Sequence, residues 1–404
     1  MISEFIVPPR VPNYPKVNQV LGDEWLKRKV EDAIAASKGK AILHPSRMSP
    51  TFGWGGHRLV SEVKQKVVNS EATPILDSLE VDLQDLGNTV LPSDLPDRLR
   101  DEHGFSKAAY ELRIAAGFNR LGYYPVWCPP LKQPHPEFLI LEGKTNVLSV
   151  ECKKRDRRDG YETQAGKFWK HLQYELRQGM SKRSLNYWVK VSGRLFDLTD
   201  IQSLVSEILS TIEKTENGES TAIKGRYHFE FIKLADPGES IDMAVVNMFP
   251  RGDLGINMGK GYRAMVGPLK DPKLLRMEFL DDPEQRVRGV VRNLKNAAKQ
   301  VLEGLPNLVY IDVNIPSYEQ EQAEFDSMVD AVENILATGH RRVSAVVLTN
   351  IFPSLSLDEY LGWRVRTELV MQPKPTAALP KGAMFPGNVS STKWLRGYLS
   401  RPVS

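Results

Sequence analysis

Two apolar runs near the C-terminal end of the chain, 308–313 and 343–348, flank a segment, 321–337, whose apolar residues recur with helical spacing. Runs this rich in apolar residues suit strands covered on both faces, and a helix between them is the crossover that parallel strands need. The unit is therefore predicted as strand, helix, strand, with parallel and buried strands. A further helix is predicted just before it. Asp282-Pro283 makes a good helix start, and Val287, Val290, Val291, Leu294, Ala298, Val301 and Leu302 keep helical spacing up to Gly304. The chain is thus expected to be α/β.

Composition excludes several classes. With 404 residues, 41% hydrophobic and 26% charged, the chain can bury a core and is neither fibrous nor disordered. Cys128 and Cys152, its two cysteines, make neither a disulfide framework nor a zinc site by themselves, which points to a reducing compartment. The start, MISEFIVPPRVPNYP, lacks the segments of a secretion signal, and no run is long enough to span a membrane, so a cytoplasmic location with no membrane partner is expected. A net charge of +4 identifies no partner alone, but ten Lys and Arg face five Asp and Glu between 151 and 183.

Five segments are expected: a mixed N-terminal extension (1–100), a core bearing the charged motif (101–183), an inserted α+β region (184–281), the strand–helix–strand remainder of the core (282–352) and a tail rich in Pro, Gly and Ser (353–404). The extension holds a predicted helix at 23–37, a Gly/Trp loop at 53–57 and a helix from 58. The insertion holds predicted strands at 187–191, 227–234 and 243–248 and a helix at 200–214. In the core, 106–121 reads as a helix rich in small residues (Ala108, Ala109, Ala115, Ala116, Gly117), closely packed on more than one side, with Glu111 inside the packed surface. Gly122 closes it, and β-type runs follow at 123–128, 136–141 and 147–153.

Glu142-Gly143-Lys144-Thr145-Asn146 joins the last two runs as a turn-like link, which makes them a hairpin. A turn centred on Lys144 sets Glu137 directly opposite Glu151. Period-two alternation puts Ser149, Glu151 and Lys153 on one face and Leu148, Val150 and Cys152 on the other. Facing carboxylates repel by about 0.2–1 kcal/mol on an exposed sheet, and by more as water is withdrawn. Such a pair calls for cations. Lys153 supplies one charge on that face and a divalent metal the rest, with Mg²⁺ or Mn²⁺ favoured over zinc because hard ions prefer carboxylate and water.

Pro136-Glu137, thirteen intervening residues and then Glu151-Cys152-Lys153 resembles the PD-(D/E)xK motif of restriction-endonuclease-like nucleases, with Glu in place of the usual Asp. The preceding helix, with Glu111 two positions after an Ala pair, resembles the one that gives such folds a further acidic residue. The resemblance covers about 106–178 and reaches to the C-terminal strand–helix–strand unit. It implies a restriction-endonuclease-like core, a mixed central sheet flanked by helices, carrying the N-terminal extension and the central insertion. By the same resemblance Glu137 and Glu151 are metal ligands, Lys153 positions the water or stabilises phosphate charge, and Glu111 assists. The implied reaction is metal-dependent hydrolysis of phosphodiester bonds, with DNA ahead of RNA and a role in restriction or defence against foreign DNA.

The residues after the motif suit such a substrate. Lys154, Arg155, Arg157 and Arg158 are expected to gather phosphates, giving affinity without base readout. In the helix-like segment 162–178, Ala165, Phe168, Trp169, Leu172 and Leu176 share one side, while Gln164, Lys167 and His171 line a stripe that can reach a phosphodiester backbone. Competing readings exist. Glu-x-Lys at a strand end also occurs as a plain surface ion pair, and Glu111 also suits a structural pair with Arg113 or a lysine. The alternative from a different class is a catalytically inactive nucleic-acid-binding or scaffolding protein. The sequence leaves open whether the chain forms a homo-oligomer or joins partner subunits.

Overall fold

The structure, a computed structural model of the chain, describes residues 2–7, 14–28, 72–87, 89–101, 104–129, 134–154, 168, 171–172, 175–176, 178–179, 186–193, 201–214, 220–223, 227–235, 257–259, 261–263, 283–313, 315, 321–355, 361–395 and 399–401. The N-terminal part gives β1 (Ile2–Val7), α1 (Pro15–Leu21), α2 (Ala72–Asp85) and α3 (Leu95–Arg100). The motif-bearing part follows with α4 (Phe105–Arg120), β2 (Tyr124–Trp127), β3 (Phe138–Glu142) and β4 (Thr145–Lys154). Next come β5 (Asn186–Gly193), α5 (Ile201–Lys214), β6 (Ser220–Ile223), β7 (Tyr227–Ala235), β8 (Asn257–Gly259) and β9 (Gly261–Arg263). The C-terminal part holds α6 (Pro283–Ala297), β10 (Asn307–Asp312), α7 (Glu321–Thr338), β11 (Ala345–Leu355), β12 (Leu361–Met371), α8 (Ser391–Trp394) and β13 (Leu399–Arg401).

The fold is α/β. Six strands in the order β12-β11-β10-β4-β3-β2 make an open mixed sheet, which β1 and β13 extend beyond β12 to eight. The predicted strand–helix–strand unit forms: β10 and β11 are parallel, with Leu308 beside Ala345 and Ile311 beside Leu348, and every residue of β10 is buried. On its other side β10 runs parallel to the motif strand, with Val309 beside Glu151 and Ile311 beside Lys153. Two helices serve these parallel strands: α6 lies in sequence between β4 and β10, α7 between β10 and β11. Helix α6 ends at Ala297, short of Gly304, and residues 298–300 form a turn.

The sheet separates two apolar layers. Leu148, Val150, Cys152, Leu308 and Tyr310 pack with α4, whereas Val309, Ile311, Val346 and Leu348 pack with residues of α6 and α7. Small residues let α4 sit close to its neighbours, as its composition suggests. Ala108, Ala115 and Ala116 are fully buried, and a Cβ on Gly117 would stand 2.8 Å from Pro386 and 2.9 Å from Trp394. Phe118 completes that contact edge-on to Tyr123, Phe138 and Tyr310. Gly122 stops the helix with φ of 91°.

Both ends of the chain take part in this sheet, which corrects two expected boundaries. The segment 353–404 is no mere tail, because β11 runs on through Leu355 and β12 pairs with it along its whole length. The extension 1–100 contributes β1, paired antiparallel to β12, and α2, packed on α4. Charge in β12 hides its strand character. Arg366 is buried with its guanidinium 4.5 Å from the Phe325 ring, hydrogen-bonded to Gln322 and 3.5 Å from Asp326. Within 184–281, β5, β7 and β6 form a separate antiparallel sheet, and α5 covers the predicted 200–214 helix. The expected loop at 53–57, helix from 58 and strand at 243–248 lie outside the described residues.

Candidate functional site

The hairpin carrying the motif has the expected register through its inner pairs, Phe138 with Val150, Leu139 with Ser149 and Ile140 with Leu148. Its turn differs. A bulge between Ile140 and Leu141 shifts the outer pairs to Leu141 with Asn146 and Glu142 with Thr145, so the turn is Gly143-Lys144, with Gly143 at φ 62°. The bulge compensates for the tighter turn. Continued one residue past β3, the inner register sets Glu137 opposite Glu151. The Glu137 carbonyl accepts the Cys128 amide at 3.0 Å, which ties this position to the end of β2.

Glu151 is fully buried in the middle of this arrangement. Lys153 Nζ is in ion-pair contact with its Oε1, and Oε2 has no hydrogen-bond partner. Burial pushes the Glu151 carboxyl up to about 7; the Lys153 charge works against that rise and the Glu137 charge adds to it. Lys153 also donates to Gln300 Oε1 at 2.6 Å, and Gln300 Nε2 reaches the His135 carbonyl at 3.4 Å. The amine is therefore held from both sides, by a carboxylate on its own strand and an amide just past α6.

Glu111 enters from α4. It is buried, Oε2 accepts Arg98 Nη1 at 2.6 Å, and Oε1 lies 3.4 Å from Lys107 Nζ without a hydrogen bond. Lys107 Nζ also stands 3.0 Å from Glu137 Oε1, so one ammonium bridges two carboxylates from different elements. Burial raises the Glu111 carboxyl above its ordinary range, the Glu137 charge adds to this, and Lys107 and Arg98 pull it back. For Lys107, burial alone acts to lower the pKa, but the charges of Glu137 and Glu111 outweigh it and hold the ammonium above the usual lysine range. The structure thus brings together Glu111, Glu137, Glu151 and Lys153 and adds Lys107, Arg98 and Gln300. Of the structural partners considered for Glu111, Arg113 or a lysine, Arg113 pairs with Asp82 at 3.4 Å, whereas Lys107 does stand against Glu111.

Sequence reasoning missed these three residues for different reasons. Lys107 lies four positions before Glu111 on one helix, a spacing that faces side chains toward each other and was readable. Arg98 reaches Glu111 across the α3–α4 corner, and Gln300 lies 147 residues from Lys153, with no local signal for either contact.

The residues expected to meet phosphate divide in two. Lys154 is corrected: alternation turns it to the face opposite Lys153, where it pairs with buried Asp312 and lies 5.6 Å from the Tyr110 ring centre. Its amine is committed to the core side of the sheet. Arg155, Arg157, Arg158, Gln164 and Lys167 lie outside the described residues. His171 is described, on a helical segment whose Phe168, Leu172 and Leu176 are fully buried, and its Nε2 stands 3.5 Å from Glu175 Oε1.

Among the described residues no group of three or more His, Cys, Asp or Glu is arranged to hold a metal ion. A hard divalent ion asks for less, since one or two carboxylates with water and substrate phosphate ordinarily complete an Mg²⁺ site. Glu137 and Glu151 fit that share, and Glu151 Oε2 is a buried carboxylate oxygen without a hydrogen bond. Comparison with known protein families, with curated proteins and with solved structures finds no match to this chain.

Proposed function

We propose that the chain is a metal-dependent nuclease with a restriction-endonuclease-like core, hydrolysing phosphodiester bonds in DNA ahead of RNA. The reading is carried by one observation: Glu151 is buried with Oε2 unpartnered, faces Glu137 by register, and stands beside an amine fixed by Gln300. Leaving a buried carboxylate oxygen unsatisfied costs about 1–3 kcal/mol. A purely structural ion pair gains nothing from that arrangement, whereas a ligand site uses it. The order of elements supports the same reading: an acidic residue on a helix, a hairpin carrying the motif, then parallel strands on the far side of β4.

Bound Mg²⁺ or Mn²⁺ supplies charge neutralisation at the phosphate and lowers the pKa of water. Glu137 and Glu151 would hold the ion. Lys153 stands beside Glu151, and its amine stabilises charge that builds on the phosphate or orients the attacking water. Gln300 aims that amine. Glu111, held by Arg98, assists from α4 as a positioning residue and, while no metal is bound, shares Lys107 with Glu137. Arg155, Arg157, Arg158, Gln164, Lys167 and His171 are proposed to meet the nucleic-acid backbone, so affinity falls with salt. Cytoplasmic restriction of foreign DNA suits such an activity.

A second reading has its own observation. Glu111, Glu137 and Glu151 are already met by Arg98, Lys107 and Lys153, a balance that also suits an inactive binding or scaffolding protein. Plasmid DNA, single-stranded DNA and RNA incubated with the wild type and with Glu151→Ala, with and without Mn²⁺, separate the two. Mn²⁺-dependent cleavage lost in the variant supports the nuclease; equal cleavage by both proteins removes it, and cleavage of RNA alone changes the substrate. Gln300→Leu is a finer probe, because it releases the amine without removing it. Its kcat is expected to fall about tenfold, roughly 1.4 kcal/mol, with Mn²⁺ affinity unchanged in a calorimetric titration.

A further inference from the structure

We infer that Lys107 is a resident counter-cation of this site: its ammonium bridges Glu111 and Glu137 when metal is absent, and it moves out to the nucleic-acid phosphate when a divalent ion takes its place. The inference rests on the metal site proposed above and adds a regulatory element to it. Lys107 Nζ lies 3.0 Å from Glu137 Oε1 and 3.4 Å from Glu111 Oε1, in contact with one of the two proposed ligands. Glu111 Oε1 beside it and both oxygens of Glu151 in the same cluster accept no hydrogen bond, so the ammonium balances charge without satisfying Glu111 or Glu151. A bound cation can improve on that.

Freedom to leave distinguishes Lys107 from the other cations of the cluster. Arg98 is a quarter exposed, at 26%, and is held by both Asp94 and Glu111; Lys153 is 16% exposed and is held by Glu151 and Gln300. Lys107 is 45% exposed, on the first turns of α4, so its four-carbon stem can carry the charge into water with no change in the helix. Charge counting gives the consequence. With Glu111, Glu137 and Glu151 ionised, Arg98, Lys107 and Lys153 balance them, and Asp94 offsets Arg98 further at the surface, so a divalent ion entering with Lys107 in place adds two positive charges. Outward movement of Lys107 removes one of them, and a phosphodiester anion meets what remains. Metal alone is therefore held weakly, and metal and nucleic acid bind together, each strengthening the other.

Calorimetric titration of Mn²⁺ into chelator-stripped protein tests this without any cleavage assay. Lys107→Met is expected to bind Mn²⁺ about tenfold more tightly than the wild type, because a competing unit charge within 4 Å of the ligands is gone. Lys107→Arg keeps the charge and is expected within about threefold of the wild type. The same Met variant, free of metal, is expected to melt at a lower temperature than the wild type, since Glu111 and Glu137 then lose the cation they share and Arg98 alone remains on Glu111. Lys107→Gln serves as a second neutral variant if the Met variant fails to show a folded far-ultraviolet spectrum. Equal or weaker Mn²⁺ binding by the neutral variants overturns this inference alone. Absence of Mn²⁺ binding by the wild type and every variant overturns the metal site itself.

Discussion

Replacing Lys153 with methionine is expected to lower Mn²⁺-dependent DNA cleavage about 10³-fold while leaving the chain folded. Methionine fills much of the same volume beside Ile311, so the sheet keeps its packing. Two electrostatic losses then combine. The first is the positive charge that meets developing charge on the phosphate. The second falls on Glu151, whose carboxyl already sits at about 7 through burial and whose strongest opposing influence is this same lysine. Without it the carboxyl rises further and holds its proton at neutral pH, which weakens it as a ligand. A pH series of kcat/KM from 6 to 9 separates the two contributions, because only the second is recovered at high pH. Lys153→Arg keeps the charge but brings a planar fork to a position where one ammonium meets both Glu151 and Gln300, and an intermediate loss is expected. Cleavage by the Met variant within threefold of the wild type at every pH would remove Lys153 from the mechanism.

The sequence carried the parallel centre of the sheet better than its antiparallel flank, for physical reasons visible in particular residues. The strands β10 and β11 are buried on both faces, so their sequences are largely apolar and their connection follows from the helix between them. Strand β12 alternates Trp363 and Val365 with Arg364 and Arg366, and Arg366 is accommodated by Phe325 and Gln322, tertiary partners no local pattern reveals. The motif register was legible because period-two alternation allows only one face for Glu151. The bulge after Ile140 was not, since it depends on the tight Gly143-Lys144 turn. Alternation also carried the correction for Lys154, which follows Lys153 directly and must point the other way. Proximity in sequence to a basic run obscured what the strand geometry required.

Without metal, the protein is expected to be more stable at pH 5.5 than at pH 8, by about 2 kcal/mol from Glu151. The sign follows from where the proton is held. The Glu151 carboxyl rises from 4.5 in an exposed chain to about 7 in the fold, so between these values the folded state binds more protons than the unfolded one. Its contribution is complete below about 4.5, declines as pH rises through about 7, and is gone above that. Glu111 shifts the same way and steepens the decline, while Lys153 from β4 and Lys107 from α4 oppose it and Glu137 adds to it. Chemical denaturation in the presence of a chelator reads the slope directly. Glu151→Gln carries no titrating group and is expected to flatten most of it; an equally steep slope in that variant would assign the effect to other residues. Mn²⁺ acts on the same proton from the other side. It binds the carboxylate form, so its stabilisation is expected to be larger at pH 8 than at pH 5.5, where it must first displace the proton from Glu151.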